Sequence, residues 1–361
     1  MAILPESSPR RLLLVSCPRT ASNLLLKIIN LKEQSNVLAN EQGGYFFFPA
    51  FTEGTKRGRL AKRADEWTTE DRTEVQSAFQ QCLNTLEDWS DRAIKEDKIL
   101  FAKEHSFWFW NPTSLTANKS SNGTADAQKY EPLFRLQFPN SYGPCNTFSS
   151  TNETVLPDEY LRTWRLAFLI RHPALMCPSL YRAMQKLVAF GVLKKEELPG
   201  VMKTNMSLHW PRMLYDWAVE QGIPGAEPLI LDAHDVIHNP QAVVQFCEKA
   251  GLDPSKMIFE WKSKEIPTHQ SATSQNGSDQ NVTGMDESTK KAAASVMLSS
   301  LIDSSGVLKD KAPVTVDIAV ESAKWKEEFG EEGGRLVEDG VLAAMSDYKY
   351  LKERRVRVES A

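Results

Sequence analysis

A short polar turn between two apolar segments is the part of the sequence best suited to bind an anion. Residues 11–16 form an apolar run typical of a buried strand, the turn contains Pro18, and an apolar helix begins near Leu24. Backbone N–H groups at the start of a helix attract phosphate and sulfate oxygens. The guanidinium of Arg19 suits the same oxygens. Three short side chains in the turn could add donors: Thr20, Ser22 and Asn23.

The local sequence of this turn leaves two interpretations open. It is either an anion site or an ordinary capped helix that follows a core strand. The ATPase phosphate loop is excluded, because neither GxxxxGKS nor GxxxxGKT occurs in the chain.

Polar residues also end or follow three later apolar runs. Each run has the length and composition of a buried strand, and helical sequence comes after it. The runs and their polar residues are 97–105 with Lys103 and His105, 165–170 with Arg171, and 228–232 with Asp232 and His234. Four strand ends with such residues point to a single anion-binding site.

Four apolar strands, each followed by helical sequence, predict an α/β fold with a central parallel sheet flanked by helices. Ligands of such sheets bind beyond the carboxyl ends of the strands, where the polar residues above fall. We expect a single domain over residues 1–361. Two polar, low-complexity stretches, at about 113–131 and 268–285, are predicted to be mobile insertions.

Composition excludes several classes of partner. The net charge is -4 at pH 7 and the charges are interspersed, so no basic stripe indicates nucleic acid. The apolar runs are too short to span a bilayer, and we expect no membrane contact and a cytoplasmic protein. The five cysteines are dispersed without metal-ligand spacing, so no metal is expected. A homodimer remains open.

Aromatic residues are concentrated in two segments, 45–51 and 107–110. Such segments line an apolar ligand pocket or simply fill the core, and the sequence favours neither. Tyr142, Phe148 and Trp210 are further candidates for a pocket wall.

With these residues in view, the chain resembles the cytosolic-type sulfotransferases. The stretch CPRTASNLLL looks like the 5′-phosphosulfate loop of that family, roughly PKSGTTWL or PRSGSTLL. The resemblance implies a phosphate-loop (P-loop) nucleotide-binding architecture that binds 3′-phosphoadenosine-5′-phosphosulfate (PAPS). Ala21 stands where the family has Gly, which makes the turn less permissive. The implied nucleotide-binding residues of this loop are Arg19, Thr20, Ala21, Ser22, Asn23 and Leu24.

Other segments resemble later motifs of the family. LIRHPALMCPSLYRAM is similar to the family's segment that binds the 3′-phosphate of the nucleotide. This similarity implies that Arg171 and Ser179 bind that phosphate. KEH resembles the family's KTH, which implies His105 as the catalytic base, with Lys103 and Arg19 stabilising transition-state charge. AHDVIHNP resembles YEDLxxNP without its Tyr and Glu. The family's closing Arg-Lys-Gly loop is not evident, and Arg335 is a candidate substitute.

The resemblance implies sulfuryl transfer from PAPS, without a metal, to a small acceptor. The many aromatic residues favour an aromatic or lipophilic natural-product hydroxyl, and a similarity to filamentous-fungal members favours secondary metabolism. Because several motifs are altered, a protein repurposed for binding only, or for elimination or cyclisation, is the alternative. A P-loop kinase is disfavoured by the absent lysine motif.

Overall fold

The computed structural model describes residues 10–117, 134–261, 295–297 and 304–357. A five-stranded sheet lies at its centre, and all strand pairs are parallel. The order across the sheet is β2-β3-β1-β4-β5. The strands are β1 (Arg11–Ser16), β2 (Val37–Leu38), β3 (Ile99–His105), β4 (Arg165–Ile170) and β5 (Leu229–Asp232).

Helices surround this sheet. They are α1 (Ser22–Ile28), α2 (Phe48–Thr55), α3 (Thr69–Lys95), α4 (Pro112–Ala117), α5 (Asp158–Leu161), α6 (Pro173–Ala189), α7 (Leu198–Asn205), α8 (His209–Gln221), α9 (Ala233–His238), α10 (Pro240–Ala250) and α11 (Ile318–Glu353). Residues 295–297 are also helical. The predicted α/β fold with a central parallel sheet is thereby confirmed.

Both faces of the sheet are buried. Leu13 and Val15 point to a large core that includes residues of α3, α6 and α11, whereas Leu12 and Leu14 point to a second core with α1 and α10. A parallel strand that is covered on both faces reads as a continuous apolar run. This burial is the reason why four of the strands could be predicted from the sequence.

One strand, β2, was not predicted. It has two residues, Val37 and Leu38, which pair with Ile99 and Leu100 of β3. Two residues are too few to show a periodic pattern.

The helix that carries Ser179, α6, is held closely against α11. Gly333 of α11 lies so near the Tyr181 hydroxyl that a Cβ there would be 2.5 Å from it. The helix α11 kinks at Gly330, whose φ of 76° favours glycine. This packing fixes α6 beside the carboxyl end of β4.

The predicted insertion at 113–131 starts too early. Residues 113–117 belong to α4, and Thr113 and Thr116 are buried there. The rest of this insertion, and all of the one at 268–285, lie outside the described residues. In the described part of the chain, no helix combines the length and apolarity needed to cross a membrane.

Candidate functional site

The turn after β1 has two residues in the left-handed region. Arg19 and Ala21 both have a φ of 67°, and α1 begins directly after them. A residue with a Cβ pays about 1–2 kcal/mol for this conformation. The turn therefore forms with alanine where a glycine would be unstrained. The Thr20 hydroxyl donates to the Cys17 carbonyl at 2.8 Å, so it holds the turn together and its proton is already used.

Arg19 reaches from this turn across to α6. Its Nε donates to the Ser179 hydroxyl at 3.0 Å, and its Nη1 donates to the carbonyl of Met297 at 2.6 Å. Burial lowers the pKa of the guanidinium. Two residues predicted to bind different phosphates of one nucleotide are thus in direct contact.

Arg171 joins the same cluster from the end of β4. Its Nη1 donates to the Arg19 carbonyl at 2.9 Å. Burial, followed by repulsion from the Arg19 charge, lowers the pKa of Arg171 to about 10, while Asp232 opposes this shift. Two guanidiniums that repel each other in a partly buried place make a site where an anion is stabilised.

Lys103 connects β3 to the turn. The side chain is fully buried, its Nζ donates to the Asn23 carbonyl oxygen Oδ1 at 2.5 Å, and it lies 4.1 Å from the centre of the Tyr45 ring. Gly44 allows the Tyr45 segment to approach, because a Cβ at Gly44 would lie 2.2 Å from backbone atoms of Lys103. This position beside the turn is compatible with the predicted role of Lys103, which is to stabilise transition-state charge.

His105 ends β3 opposite Ser16 of β1. Its Nδ1 is 3.1 Å from the Ser16 hydroxyl oxygen, and its ring centre is 4.5 Å from that of Trp108. Burial and the nearby Lys103 charge lower the pKa of His105 to about 3. The imidazole is therefore neutral at physiological pH, the form in which it can accept a proton.

Aromatic side chains next to His105 divide into two groups. Tyr45, Phe48 and Phe51 are half-buried and pack around Trp108 with ring-centre distances of 4.8, 4.8 and 6.3 Å. The buried ones belong to the core: Phe46, Phe47, Phe107, Phe109 and Trp110. The first group forms what we call the Trp108 wall, so the segment 45–51 supplies both a surface beside the site and part of the core.

Tyr142 does not belong to this wall. Its hydroxyl donates to Glu87 at 2.5 Å, and its ring lies 5.1 Å from the Arg11 guanidinium. Arg11 begins β1, so Tyr142 lies at the amino end of the sheet, away from the predicted site.

Two proteins that carry the name sulfotransferase ppzF are similar to the chain. The one from Metarhizium rileyi is 35% identical over 363 residues, which cover 97% of each protein. The one from Metarhizium majus is 34% identical over 366 residues, which cover 97% of this chain and 98% of the relative. No family model matches the chain, and no solved structure matches it.

The chain belongs to the fungal sulfotransferases. It is therefore an enzyme that works with a sulfuryl donor and a small-molecule acceptor. The described residues include no group of three or more histidine, cysteine or carboxylate side chains placed to hold a metal ion.

Glu104 is a residue of this sulfotransferase that sequence reasoning missed. It lies on the opposite face of β3 from Lys103, is 2% exposed, and accepts a hydrogen bond from the Phe46 N–H. Burial raises its pKa to about 8, although N–H groups of residues 45–47 act against the shift. Because both faces of the predicted parallel sheet are covered, a carboxyl within β3 could have been expected to be buried on whichever face it lies.

Two further candidate residues of the sulfotransferase, His234 and Arg335, lie after β5 and on α11. His234 follows β5, and its ring packs on His238 at 4.7 Å. Since β5 is three positions from β3, their ends are separated by about 14 Å. Arg335 lies within α11 rather than in a loop, is two-thirds exposed, and pairs with Glu331 at 3.5 Å. Arg335 therefore belongs to a helix and not to a loop like the family's closing Arg-Lys-Gly segment.

Proposed function

We propose that this enzyme transfers a sulfuryl group from PAPS to a hydroxyl of a small aromatic or lipophilic natural-product acceptor. The observation that carries the proposal is the junction of Arg19, Arg171 and Ser179. These residues come from two separate segments, and the parallel sheet brings them together because β1 and β4 are neighbours. The proposal places this chemistry in a single cytoplasmic domain.

The cluster fits a nucleotide with phosphates at both its 3′ and 5′ positions. Arg171 and Ser179 would hold the 3′-phosphate, while Arg19 and the backbone of residues 20–24 would hold the 5′ end. Both guanidiniums have lowered pKa values because they are buried, so a bound anion would replace lost solvation. Arg19, Arg171 and Ser179 therefore suit the phosphates of PAPS.

PAPS supplies an activated sulfuryl group, and the protein supplies position and charge. In the proposed step the acceptor oxygen forms a bond to sulfur while the bond from sulfur to the 5′-phosphate oxygen breaks. The acceptor proton goes to His105, and the negative charge leaves on adenosine 3′,5′-bisphosphate. Arg19 stabilises this charge but does not give up a proton, because a guanidinium stays protonated. Lys103 adds a second positive charge.

The acceptor would bind against the Trp108 wall. Its aromatic members are half-buried and adjoin His105, whose ring centre is 5.3 Å from that of Tyr45. A flat apolar molecule gains most from such a surface, since aromatic faces stack on it and little polar surface is buried.

Calorimetric titration tests the donor assignment. We expect adenosine 3′,5′-bisphosphate to bind at least about 10-fold more tightly than adenosine 5′-monophosphate, because the 3′-phosphate adds charge-assisted hydrogen bonds. Equal affinity would remove PAPS as the donor. Tight binding of the bisphosphate without sulfation of any phenol in a panel would favour the repurposed or binding-only alternative.

A further inference from the structure

The neutral imidazole of His105 has two tautomers, and one of them is unable to act as a base toward the acceptor. Ser16 contacts the ring at Nδ1, at 3.1 Å, so Nε2 is the nitrogen on the other side of the ring. If Nε2 carries the proton, it has no lone pair with which to accept another. The nitrogen that carries the proton is set by the hydrogen bond that the other nitrogen makes.

Hydrogen bonding of Ser16 decides between the tautomers. Its hydroxyl has a single hydrogen, and this oxygen lies 3.4 Å from the Glu104 carbonyl, which can only accept. With the hydrogen directed to that carbonyl, the hydroxyl oxygen accepts from the N–H of His105. An acceptor at Nδ1 favours the tautomer with the proton on Nδ1.

The backbone places this pair, and the surroundings keep water away from it. Ser16 and His105 are register partners of the parallel strands β1 and β3. Ser16 is fully buried and His105 is 5% exposed. A buried pair between adjacent strand ends has little freedom to exchange partners with solvent.

We propose that Ser16 is a positioning residue that keeps the proton of His105 on Nδ1 and leaves Nε2 free to accept the acceptor proton. This inference rests on the proposed function, in which His105 is the base. Ser16 also precedes the turn that carries Arg19, so one strand end orients the base and begins the anion site.

The activity test compares Ser16→Ala with Ser16→Thr, using PAPS and 2-naphthol as the probe acceptor. We expect Ser16→Ala to lower kcat about 10- to 100-fold, because most of the protein then holds the wrong tautomer. Its affinity for adenosine 3′,5′-bisphosphate should stay within about 2-fold of the unchanged protein, since no phosphate contact is lost. Ser16→Thr keeps the hydroxyl and should recover most of kcat.

Ser106→Ala is the matched control. Ser106 is also fully buried, follows His105 directly, and lies 3.8 Å from the Cys17 sulfur rather than beside the imidazole. Its removal should leave kcat within about 2-fold of the unchanged protein. Equal loss of kcat in both alanine variants, or no loss in Ser16→Ala, would overturn the positioning role.

Nitrogen-15 NMR of histidine-labelled protein reads the tautomer without relying on activity. The His105 signals, assigned from their loss in His105→Ala, should show Nδ1 protonated, and Ser16→Ala should shift them toward protonated Nε2. A signal for protonated Nε2 in the unchanged protein would refute the proposal. If the unchanged protein bound no nucleotide and sulfated nothing, the proposed function would fail, while these spectra would still decide the tautomer.

Discussion

Arg19 donates a hydrogen bond from Nε to the hydroxyl of Ser179 at 3.0 Å, although 160 residues separate them in the chain. The contact forms because β1 and β4 are adjacent, so the turn after one strand meets the helix after the other. Under the proposed function, a nucleotide held by both residues would replace this hydrogen bond with contacts to its phosphates. In that proposal the guanidinium of Arg19 lies beside the residue that would bind the 3′-phosphate.

Arg171→Ala should weaken binding of adenosine 3′,5′-bisphosphate about 10- to 150-fold, because charge-assisted hydrogen bonds to the 3′-phosphate are lost. Binding of adenosine 5′-monophosphate should change far less. Calorimetric titration of both nucleotides gives the ratio of affinities. The ratio matters because general damage to the fold, for example from the lost contact with the Arg19 carbonyl, would affect both ligands.

Arg182→Ala is the control for this prediction. Arg182 is on the same helix, α6, but is about half exposed and pairs with Glu328 of α11 at 2.5 Å. Its removal should leave the ratio of affinities unchanged. An unchanged ratio in Arg171→Ala would mean that Arg171 does not bind the 3′-phosphate.

His105 should give an unusual pH profile. Because burial and Lys103 lower its pKa to about 3, the free enzyme keeps the ring neutral well below the usual value near 6.5. We expect kcat/KM to remain level as the pH falls from about 8 to about 5. Steady-state kinetics over this range would contradict the assignment if a single fall centred near 6.5 appeared.

His105→Ala should lower kcat by about 10²- to 10⁴-fold while nucleotide affinity is retained. His238→Gln is a suitable comparison, since His238 contacts the Ala312 carbonyl at 2.6 Å and the amide can keep that contact. A fully active His105→Ala would remove the base assignment.

Ala21→Gly should stabilise the protein. Ala21 has a φ of 67°, where a Cβ is strained, and the gain is partly offset by the larger freedom of glycine in the unfolded chain. We expect the free energy of unfolding to rise by about 0.5–1 kcal/mol in urea denaturation. Ala323→Gly, at an exposed position of α11, should lower it by a similar amount. A loss of stability in both variants would contradict the strain at Ala21.

The sequence alone predicted those parts of the fold in which a simple hydrophobic pattern is present. The strands with Val15, Leu100 and Phe168 are buried on both faces and show as apolar runs, and their carboxyl ends must lie at one edge of the sheet. That geometry places Arg19 and Arg171 at the same edge of the sheet, and the adjacency of β1 and β4, which the sequence does not specify, brings them into contact. The two-residue strand β2 has no such pattern.

Sequence patterns could not predict individual side-chain hydrogen bonds. Thr20 was predicted as a donor to the anion, yet its hydroxyl donates to the Cys17 carbonyl within the turn. Which of several short polar side chains turns inward depends on backbone angles such as those of Arg19, which no local propensity specifies. The pairing of Ser16 with His105 likewise depends on strand register, which becomes known only with the sheet.

Glu104→Gln should change how stability depends on pH. Burial raises the pKa of Glu104 to about 8 in the folded protein, whereas an unfolded glutamate titrates near 4.3. Between these values the unfolded chain releases a proton that the folded protein keeps. The contribution of this group is therefore fully present below about pH 4 and is lost as the pH rises to about 8.

Glutamine at this position keeps an oxygen for the Phe46 N–H but does not ionise. The free energy of unfolding of Glu104→Gln minus that of the unchanged protein should therefore grow between pH 5 and pH 8, by at most about 1.4 kcal/mol per pH unit. His105, whose lowered pKa gives the opposite trend, is present in both proteins and cancels in this difference. Urea denaturation at several pH values measures it. A difference independent of pH would show that Glu104 ionises in the fold as readily as in the unfolded chain, and that the 45–47 backbone stabilises a carboxylate rather than a carboxylic acid.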